Sequence, residues 1–338
     1  LILYYGGIFM LILTAEDIKR VFTMRDAIEA DKEAFRLYST NKAEVPLRTN
    51  INIPKYKGTS LFMPGYVEEL DTAGIKIVSV FPENPKLGKP AVPAQMILLD
   101  GKTGEISAIM DGTYLTQLRT GASAGAATDI LAKQDSKIGA LIGTGGQALC
   151  QLEALLSARN LKVVKVYSRN IEKVKAFVEE AKEKLGHYGT EIIGVDSSDE
   201  AIENADVITV VTTATSPVFD GEKVKKGAHI NGVGSYMKHM QEIDEYIISK
   251  ADKIYLDSKE AVLSEAGDFI IPIQKGIITE DIITGELGQV ISKTIEGRQS
   301  ENEITLFKSV GIAVQDVVTA YRIYEKALKN KVGKEIEI

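Results

Sequence analysis

The sequence predicts an α/β protein of two domains, with a β-rich first part and a second part built on a parallel sheet. The chain has 338 residues, about twice the size of a common domain. From Ser39 to Met110, apolar runs are broken by Pro, Gly and Asp turns, which is typical of a meander. After about Ser136, short apolar runs alternate with helical patterns, which is typical of parallel sheets covered by helices.

Composition and charge exclude several classes of protein. Hydrophobic residues make up 44% and charged residues 26% of the chain, which is a globular composition. The net charge is −7, with both signs spread along the sequence, so there is no basic stripe for nucleic acid. The single cysteine, Cys150, cannot form an intrachain disulfide, and we therefore expect a cytoplasmic protein.

The first thirteen residues are uncharged and apolar. A membrane-spanning helix needs roughly 20 such residues, and a secretory signal has a basic start and a small-residue cleavage site. We therefore expect no membrane partner here, and Met10 as the initiator, with the nine preceding residues an artefact of start assignment. A short strand then enters a helix, with Thr14 as its N-cap and Asp17 near the positive end of the helix dipole.

The first part contains one predicted hairpin turn, Asp100–Gly104, between two apolar runs. Its Gly-Lys-Thr is not a phosphate loop, because Met96 occupies the position where that motif requires glycine.

The second part contains apolar runs with little alternation, as expected for strands buried on both faces of a parallel sheet. These runs are KIGALI, VVKVYS, TEIIGV, DVITVV, AHINGV and KIYLD. A helix is predicted after VVKVYS, and another covers GIAVQDVVTAYRIYEKALKN. The apolar side of that last helix is predicted to pack on the N-terminal part or on a partner subunit, and comprises Ile312, Val317, Tyr321, Tyr324 and Leu328.

A glycine-rich turn, Gly143–Ala148, joins a predicted strand to a predicted helix. Gly143 permits the tight turn, Gly145 lets the backbone approach a pyrophosphate, and Ala148 allows close packing. The helix N-terminus supplies free amides and a positive dipole. This context predicts a Rossmann domain that binds NAD(P)H, rather than a βα turn without a ligand.

The end of the next strand predicts which dinucleotide is preferred. NAD enzymes often place a carboxylate there to bind the ribose, whereas this chain has Ser168, Arg169 and Asn170. A guanidinium can bind a phosphate with two hydrogen bonds, so this corner favours NADPH over NADH. The alternative is a solvated surface arginine.

Three cationic residues in the first part lie among apolar or small residues. Lys76 shares one face of a strand with Val78 and Val80, where apolar surroundings lower its pKa and suit it to proton transfer. The alternative is a lysine at an edge strand that extends to solvent. Arg48 and Arg119 are suited to binding a substrate carboxylate, with surface ion pairs as the alternative.

Two further patterns predict no chemistry. Gly121–Gly125 matches a nucleophile elbow around Ser123, but the segment TYLTQLRTGASAGAATDIL is a predicted helix rather than a strand and a turn. The three histidines show no ligand spacing, and we expect no metal site.

The chain resembles the ornithine cyclodeaminase and mu-crystallin family, which includes ketimine reductases and archaeal alanine dehydrogenases. The resemblance rests on TSLFMPG, GIKIVSVFPENP, LRTGA, IGTGGQA, HINGVG and FKSVGIAVQD, in that order from about Met10 to the C-terminus. It implies a homodimer with a Rossmann domain of residues 125–310. Residues 1–124 and 311–338 would form an α+β dimerisation and substrate domain.

The resemblance also implies roles for individual residues. Arg48 is similar to the substrate-carboxylate arginine and Lys76 to the catalytic, substrate-binding lysine. Arg119 and Val310 would also line the substrate site. The residues that would bind the cofactor are Arg119, Thr120, Gly143, Gly145, Gly146, Gln147, Ser168, Arg169, Asn170, Thr212, Val233, Gly234, Ser235 and Ser309.

One departure from the family pattern bears on the reaction. Cyclodeaminases carry an aspartate after the GVG-like turn, where this chain has Ser235 and Tyr236. The resemblance therefore implies an NAD(P)H-dependent reductase of a small cyclic imino acid, such as 1-pyrroline-2-carboxylate, giving an L-amino acid such as proline. The alternatives are ornithine cyclodeaminase, alanine dehydrogenase and a non-catalytic NADPH-binding protein similar to mu-crystallin.

Overall fold

The computed structural model of the chain describes residues 9–337. The expectation that Met10 is the initiator concerns the nine residues before it. Of these, residues 1–8 lie outside the described part. The strands are β1 (Phe9–Leu13), β2 (Ala43–Glu44), β3 (Thr49–Ile53), β4 (Gly58–Val67), β5 (Thr72–Val80), β6 (Ala94–Asp100), β7 (Ile106–Asp111), β8 (Ile138–Ile142), β9 (Val163–Tyr167), β10 (Glu191–Gly194), β11 (Val207–Val210), β12 (His229–Gly232), β13 (Lys253–Leu256), β14 (Gly285–Glu286), β15 (Thr305–Lys308) and β16 (Lys334–Glu337). The helices are α1 (Ala15–Val21), α2 (Met24–Ser39), α3 (Gly112–Leu131), α4 (Ala148–Ala158), α5 (Ile171–Leu185), α6 (Ser198–Ile202), α7 (Glu245–Lys250), α8 (Lys259–Glu265), α9 (Gly267–Gln274), α10 (Leu287–Ile291) and α11 (Ala313–Asn330).

The chain divides into two compact units. Unit 1 runs up to Arg119 and resumes at Ile312, and unit 2 is Thr120–Gly311. The boundaries expected from the sequence, after residue 124 and after residue 310, lie a few residues from these. Among residues 9–337, no helix has the length and apolar character needed to cross a membrane.

Unit 1 is a mixed sheet covered by helices. The strand order is β16-β1-β7-β6-β5-β4-β2, and β3 also pairs with β4. Strands β4 to β7 form the predicted antiparallel meander. Helix α11 packs against β4, β5 and β6, and α1 and α2 pack against α11. The last helix therefore packs on the N-terminal part of its own chain, which is one of the two predicted alternatives.

The predicted apolar side of α11 is only partly correct. Ile312 and Val317 are buried, but Leu328 is 47% exposed. The buried side includes Val314 and Val318 instead, because α11 contacts both the sheet and α2 and is therefore covered by two elements.

Local sequence explains several boundaries in unit 1. The Thr14 hydroxyl caps α1 by accepting from the Asp17 amide, and the Asp17 carboxylate accepts from the Thr14 amide. This confirms the predicted helix start. Thr23 and Asp26 make the same arrangement at α2, a helix that was not predicted from the sequence. In the predicted hairpin, the Asp100 carboxylate accepts hydrogen bonds from the next residues of the turn, and β6 and β7 pair on either side.

Unit 2 is an eight-stranded parallel sheet in the order β10-β9-β8-β11-β12-β15-β13-β14. All six strands predicted in this region are present, whereas β14 and β15 were not predicted. The strand order reverses between β8 and β11, and in sheets of this kind ligands bind at the carboxyl ends of the strands near such a reversal. The predicted glycine turn directly follows β8.

Candidate active site

Unit 1 buries a lysine in the middle of its sheet. Lys76 lies on β5, where it pairs with Met63 of β4 and Met96 of β6. Its side chain is buried, and alternation places Val78 on the same buried face. The alternative of an edge-strand lysine extending to solvent is therefore wrong.

The partner of this lysine is an aspartate that we did not single out from the sequence. The Asp316 carboxylate on α11 accepts hydrogen bonds at one oxygen, Oδ1, from Lys76 Nζ at 2.8 Å and Arg119 Nε at 2.9 Å. Asp316 is fully buried, and its second oxygen has no hydrogen-bond partner among residues 9–337. One carboxylate thus fixes two cationic side chains from separate elements.

The surroundings of Lys76 lower its pKa toward neutral pH. Burial, with the nearby positive charges of Arg119 and Arg48, lowers the pKa of Lys76 to about 7, although Asp316 opposes this change. An amino group with this pKa is partly protonated at pH 7, so it can give up a proton at little cost.

Unit 1 also presents guanidinium groups in this cluster. Arg119 is 6% exposed and bonds to Asp316 only through Nε, so its two Nη groups have no partner in residues 9–337. Arg48 lies just before β3, close enough for its charge to affect Lys76. Guanidinium groups bind carboxylates with two hydrogen bonds, so the cluster of Arg48, Lys76, Arg119 and Asp316 is suited to a small carboxylate with a basic nitrogen.

The glycine turn of unit 2 has the geometry that its sequence predicted. Gly143 has φ +115°, and a Cβ atom there would lie 2.5 Å from the carbonyl oxygen of Val211, so no other residue fits. At Gly145 and Gly146, by contrast, an added Cβ would meet no atom within 4 Å. The fold itself does not require glycine at these two positions, and the space is of the kind that a phosphate group would occupy.

Gln147 and Ala148 complete the turn. Ala148 begins α4 and is buried, as expected for close packing of helix and strand. The buried Gln147 Oε1 has no hydrogen-bond partner among the described residues. An unpaired acceptor beside an open glycine turn and a helix N-terminus fits a bound dinucleotide.

The corner after β9 brings the predicted residues together. Thr144 Oγ1 donates to Ser168 Oγ at 3.1 Å, which ties the corner to the glycine turn. Asn170 caps α5 by accepting from the amide of Lys173 at 3.1 Å, so its side chain is occupied within the fold. Arg169 is exposed, and a ligand could reach it.

The loops after β11 and β12 contain the next predicted cofactor residues. Thr212, Gly234 and Ser235 all donate to a single buried carboxylate, that of Glu242. The Ser235 hydroxyl donates to the Met240 carbonyl at 2.8 Å, which directs this side chain into the protein. Val233 is also buried, so the side chains of Val233 and Ser235 both lie inside the protein.

The loop after β15 is fixed in the same way. The Asp257 carboxylate accepts from Ser309 Oγ at 2.7 Å, the Val310 amide at 2.9 Å and the Gly311 amide at 2.8 Å. Burial raises the pKa of Asp257. Thr120, the remaining predicted residue, accepts a hydrogen bond at its carbonyl from Gln151 Nε2 at 2.8 Å.

Two other sequence patterns have structural explanations. Ser123 lies inside α3, and its hydroxyl donates to the Thr120 carbonyl, so the predicted helix is confirmed. His229 Nδ1 is 2.8 Å from Thr305 Oγ1, and burial lowers the pKa of His229 to about 3, which keeps this imidazole neutral in the core. Within residues 9–337, His, Cys, Asp and Glu form no group suited to a metal ion.

The three carboxylates that sequence analysis missed share one signal. Asp316, Glu242 and Asp257 are acidic residues within or next to apolar runs, in GIAVQDVV, MQEIDEYII and IYLDSK. A carboxylate in such a run is almost never buried without a partner. The signal does not separate Glu242 from its neighbours Asp244 and Glu245, which are less buried, and the residues that each acid binds depend on the fold.

Comparison with known proteins identifies the relatives of this chain. The model of the ornithine cyclodeaminase/mu-crystallin family matches residues 10–331. The Delta(1)-pyrroline-2-carboxylate reductase of Bacillus cereus is 40% identical over 328 residues, which cover 97% of this chain and 100% of the relative.

Two solved structures are similar over nearly the whole chain. The Thermococcus litoralis Delta(1)-pyrroline-2-carboxylate reductase, in complex with NADH and L-proline, is 43% identical with a TM-score of 0.91, covering 97% of this chain and 100% of that one. An archaeal alanine dehydrogenase dimer with bound NAD is 36% identical with a TM-score of 0.89, covering 98% and 100%.

Proposed function

This chain belongs to the ornithine cyclodeaminase/mu-crystallin family, and we propose that it is a NAD(P)H-dependent oxidoreductase that reduces 1-pyrroline-2-carboxylate to L-proline. The observation that carries the proposal is the buried pair of Lys76 and Asp316 with Arg119, which combines a proton donor with a carboxylate-binding group. The identity of 43% to a reductase solved with NADH and L-proline supports the choice of substrate.

Unit 2 would hold the dinucleotide. The residues that fit it are Gly143, Gly145, Gly146 and Gln147 at the glycine turn, with the loops that begin at Thr212, Val233 and Ser309. When bound, a reduced nicotinamide supplies a hydride.

The residues of unit 1 divide the remaining work. Arg48 and Arg119 bind the substrate carboxylate and hold the ring in one orientation. Lys76 donates a proton to the ring nitrogen, and Asp316 keeps both Lys76 and Arg119 in place. The C=N bond becomes CH–NH by gaining one hydride at carbon and one proton at nitrogen, and water then reprotonates Lys76.

The first experiment follows oxidation of NADH and NADPH by the purified protein with candidate substrates. We expect 1-pyrroline-2-carboxylate to be reduced, with L-proline as the product. Ornithine converted to proline with release of ammonia, without net consumption of nucleotide, would instead indicate a cyclodeaminase. Tight nucleotide binding without turnover of any substrate would indicate a binding protein.

Alanine dehydrogenase activity is the second candidate, because the archaeal enzyme is 36% identical over nearly all of its length. Pyruvate with ammonium would then oxidise NADH faster than the cyclic imine does. Cyclodeamination is less favoured, because Tyr236 follows the turn where cyclodeaminases carry aspartate.

We further propose that Arg169 makes NADPH the preferred cofactor. Arg169 is exposed at the end of β9, where no carboxylate is available for the ribose of NADH. Replacing Arg169 with Ala should raise the Kd for NADPH about tenfold, because a charge-assisted hydrogen bond is lost, and should leave the Kd for NADH nearly unchanged. Nucleotide fluorescence titrations measure both constants.

The matched control for this substitution is Lys162→Ala, which removes a positive charge at the opposite end of β9. Its Kd for NADPH should equal that of the parent protein. Equal losses for NADH and NADPH in Arg169→Ala would contradict a role in binding the 2′-phosphate.

We also propose that the protein is a homodimer formed through unit 1. Strand β3 pairs only with β4 within residues 9–337. Its Ile51 is 51% exposed, and Leu47 before the strand and Tyr56 after it are exposed as well. An edge strand with exposed apolar residues is a common docking surface. Sedimentation should give twice the chain mass for the parent protein, and Ile51→Lys should shift it toward the monomer. Monomeric parent protein at micromolar concentration would contradict the proposal.

A further inference from the structure

Glu242 is a buried glutamate that joins two loops of unit 2. Its Oε2 atom accepts from the Thr212 amide at 2.7 Å and from the Thr212 hydroxyl at 3.0 Å. Its Oε1 atom accepts from the amides of Gly234 at 2.6 Å and Ser235 at 3.2 Å. Four donors from the loops after β11 and β12 therefore meet on one carboxylate.

The two loops are in direct contact around this carboxylate. A Cβ atom on Gly234 would lie 2.1 Å from the Thr212 carbonyl oxygen and 2.4 Å from Glu242 Oε2. Both loops leave the carboxyl ends of parallel strands, since β11 pairs with β8 and β12 pairs with β11, and this is the edge at which such sheets bind ligands. Because both loops bond to the Glu242 carboxylate, a change at this group affects the position of both loops.

The charged groups that face Glu242 come from two further elements. Lys308 on β15 has its Nζ 3.8 Å from Glu242 Oε1 and 2.7 Å from Asp268 Oδ2. Asp268 on α9 accepts from the Glu242 amide at 2.7 Å through its other oxygen. Two buried carboxylates share one ammonium group, and burial with the charge of Asp268 raises the pKa of Glu242 to about 7.

We propose that Glu242 is a positioning residue for dinucleotide binding, whose ionised carboxylate holds the loops after β11 and β12 in the binding conformation and whose protonation releases them. Only the carboxylate form can accept all four hydrogen bonds, because a protonated oxygen would direct its own hydrogen at an N–H or O–H donor. The inference rests on the proposed function only in that unit 2 binds a dinucleotide.

The test measures the Kd for NADH between pH 8 and pH 6 by nucleotide fluorescence. NADH is used because it lacks the 2′-phosphate of NADPH, which titrates in this range. The protein carries Lys76→Met, so that the lysine of unit 1 does not contribute to the pH dependence. With Glu242 intact, the Kd should rise about tenfold from pH 8 to pH 6, because protonation opposes binding.

The variant Glu242→Gln, in the same Lys76→Met background, should bind NADH about tenfold or more weakly at pH 8, because its amide NH₂ faces N–H donors. Its Kd should not change with pH. The matched control is Glu153→Gln, which alters another glutamate of unit 2 whose pKa is raised by burial. This control should have the same affinity for NADH and the same pH dependence as the Lys76→Met protein.

A second variant keeps the inference testable if Glu242→Gln does not fold. Asp268→Asn removes the neighbouring negative charge, so the rise in Kd should begin at a lower pH. The inference would be overturned by a Kd in Glu242→Gln within twofold of the value for the Lys76→Met protein, or by an unmoved pH dependence in Asp268→Asn. Either result would leave the proposed function standing. Failure of the protein with Glu242 intact to bind NADH at pH 8 would overturn the proposed function as well.

Discussion

Replacing Lys76 with Met should lower kcat for reduction of the cyclic imine by at least about 100-fold, because the proton donor for the ring nitrogen is lost. Methionine fits between Met63 and Met96 without a charge, so the sheet of unit 1 should keep its packing. The Kd for NADH should stay within about twofold, since the glycine turn and the loops proposed to hold the dinucleotide lie in unit 2. Steady-state rates and nucleotide fluorescence measure the two quantities.

The pH dependence separates a catalytic role of Lys76 from a structural one. In the parent protein, kcat/KM for imine reduction should fall as the pH rises through about 7, because Lys76 loses its proton there. In Lys76→Met that decrease should disappear from the remaining activity. The control is Lys55→Met, an exposed lysine of unit 1, which should leave both the rate and the pH profile unchanged. Near-normal turnover in Lys76→Met would remove the lysine from the mechanism.

The features that could be predicted from the sequence depend on residues close together in the chain. The glycine turn is one example: its strand, turn and helix follow each other within about twenty residues, and the positive φ at Gly143 requires glycine. Lys76 is another, because alternation along one strand is enough to place it among apolar neighbours. Strands β8 to β13 were predicted for the same reason.

The features that the sequence did not reveal are contacts between distant segments. Lys76 and Asp316 are 240 residues apart in the chain, and Arg119 and Asp316 are 197 apart. The apolar side of α11 indicated that this helix packs on another part of the protein, but no local pattern specifies which of its residues meets Lys76 and Arg119. Likewise, the hydrogen bonds from Thr212 to Glu242 depend on the parallel pairing of β11 and β12.

Asp316 provides the second large effect that we expect. Asp316→Asn should reduce the free energy of unfolding by about 3 kcal/mol, because two buried cations lose the negative charge that they share. The pKa of Lys76 should also fall below its value in the parent protein, since Asp316 is the group that raises it. The decrease of kcat/KM with rising pH should therefore move to lower pH. Chemical denaturation and a pH–rate profile measure the two effects.

The matched control for this substitution is Asp31→Asn. Asp31 is also fully buried in unit 1, but it accepts a hydrogen bond from the neutral amide of Gln315 at 2.9 Å. Its replacement should cost less stability than Asp316→Asn and leave the pH profile in place, because Lys76 and Arg119 both bond to Asp316. A folded Asp316→Asn protein with an unmoved pH profile would show that Asp316 does not determine the pKa of Lys76. Another group would then have to determine the pKa of the proton donor.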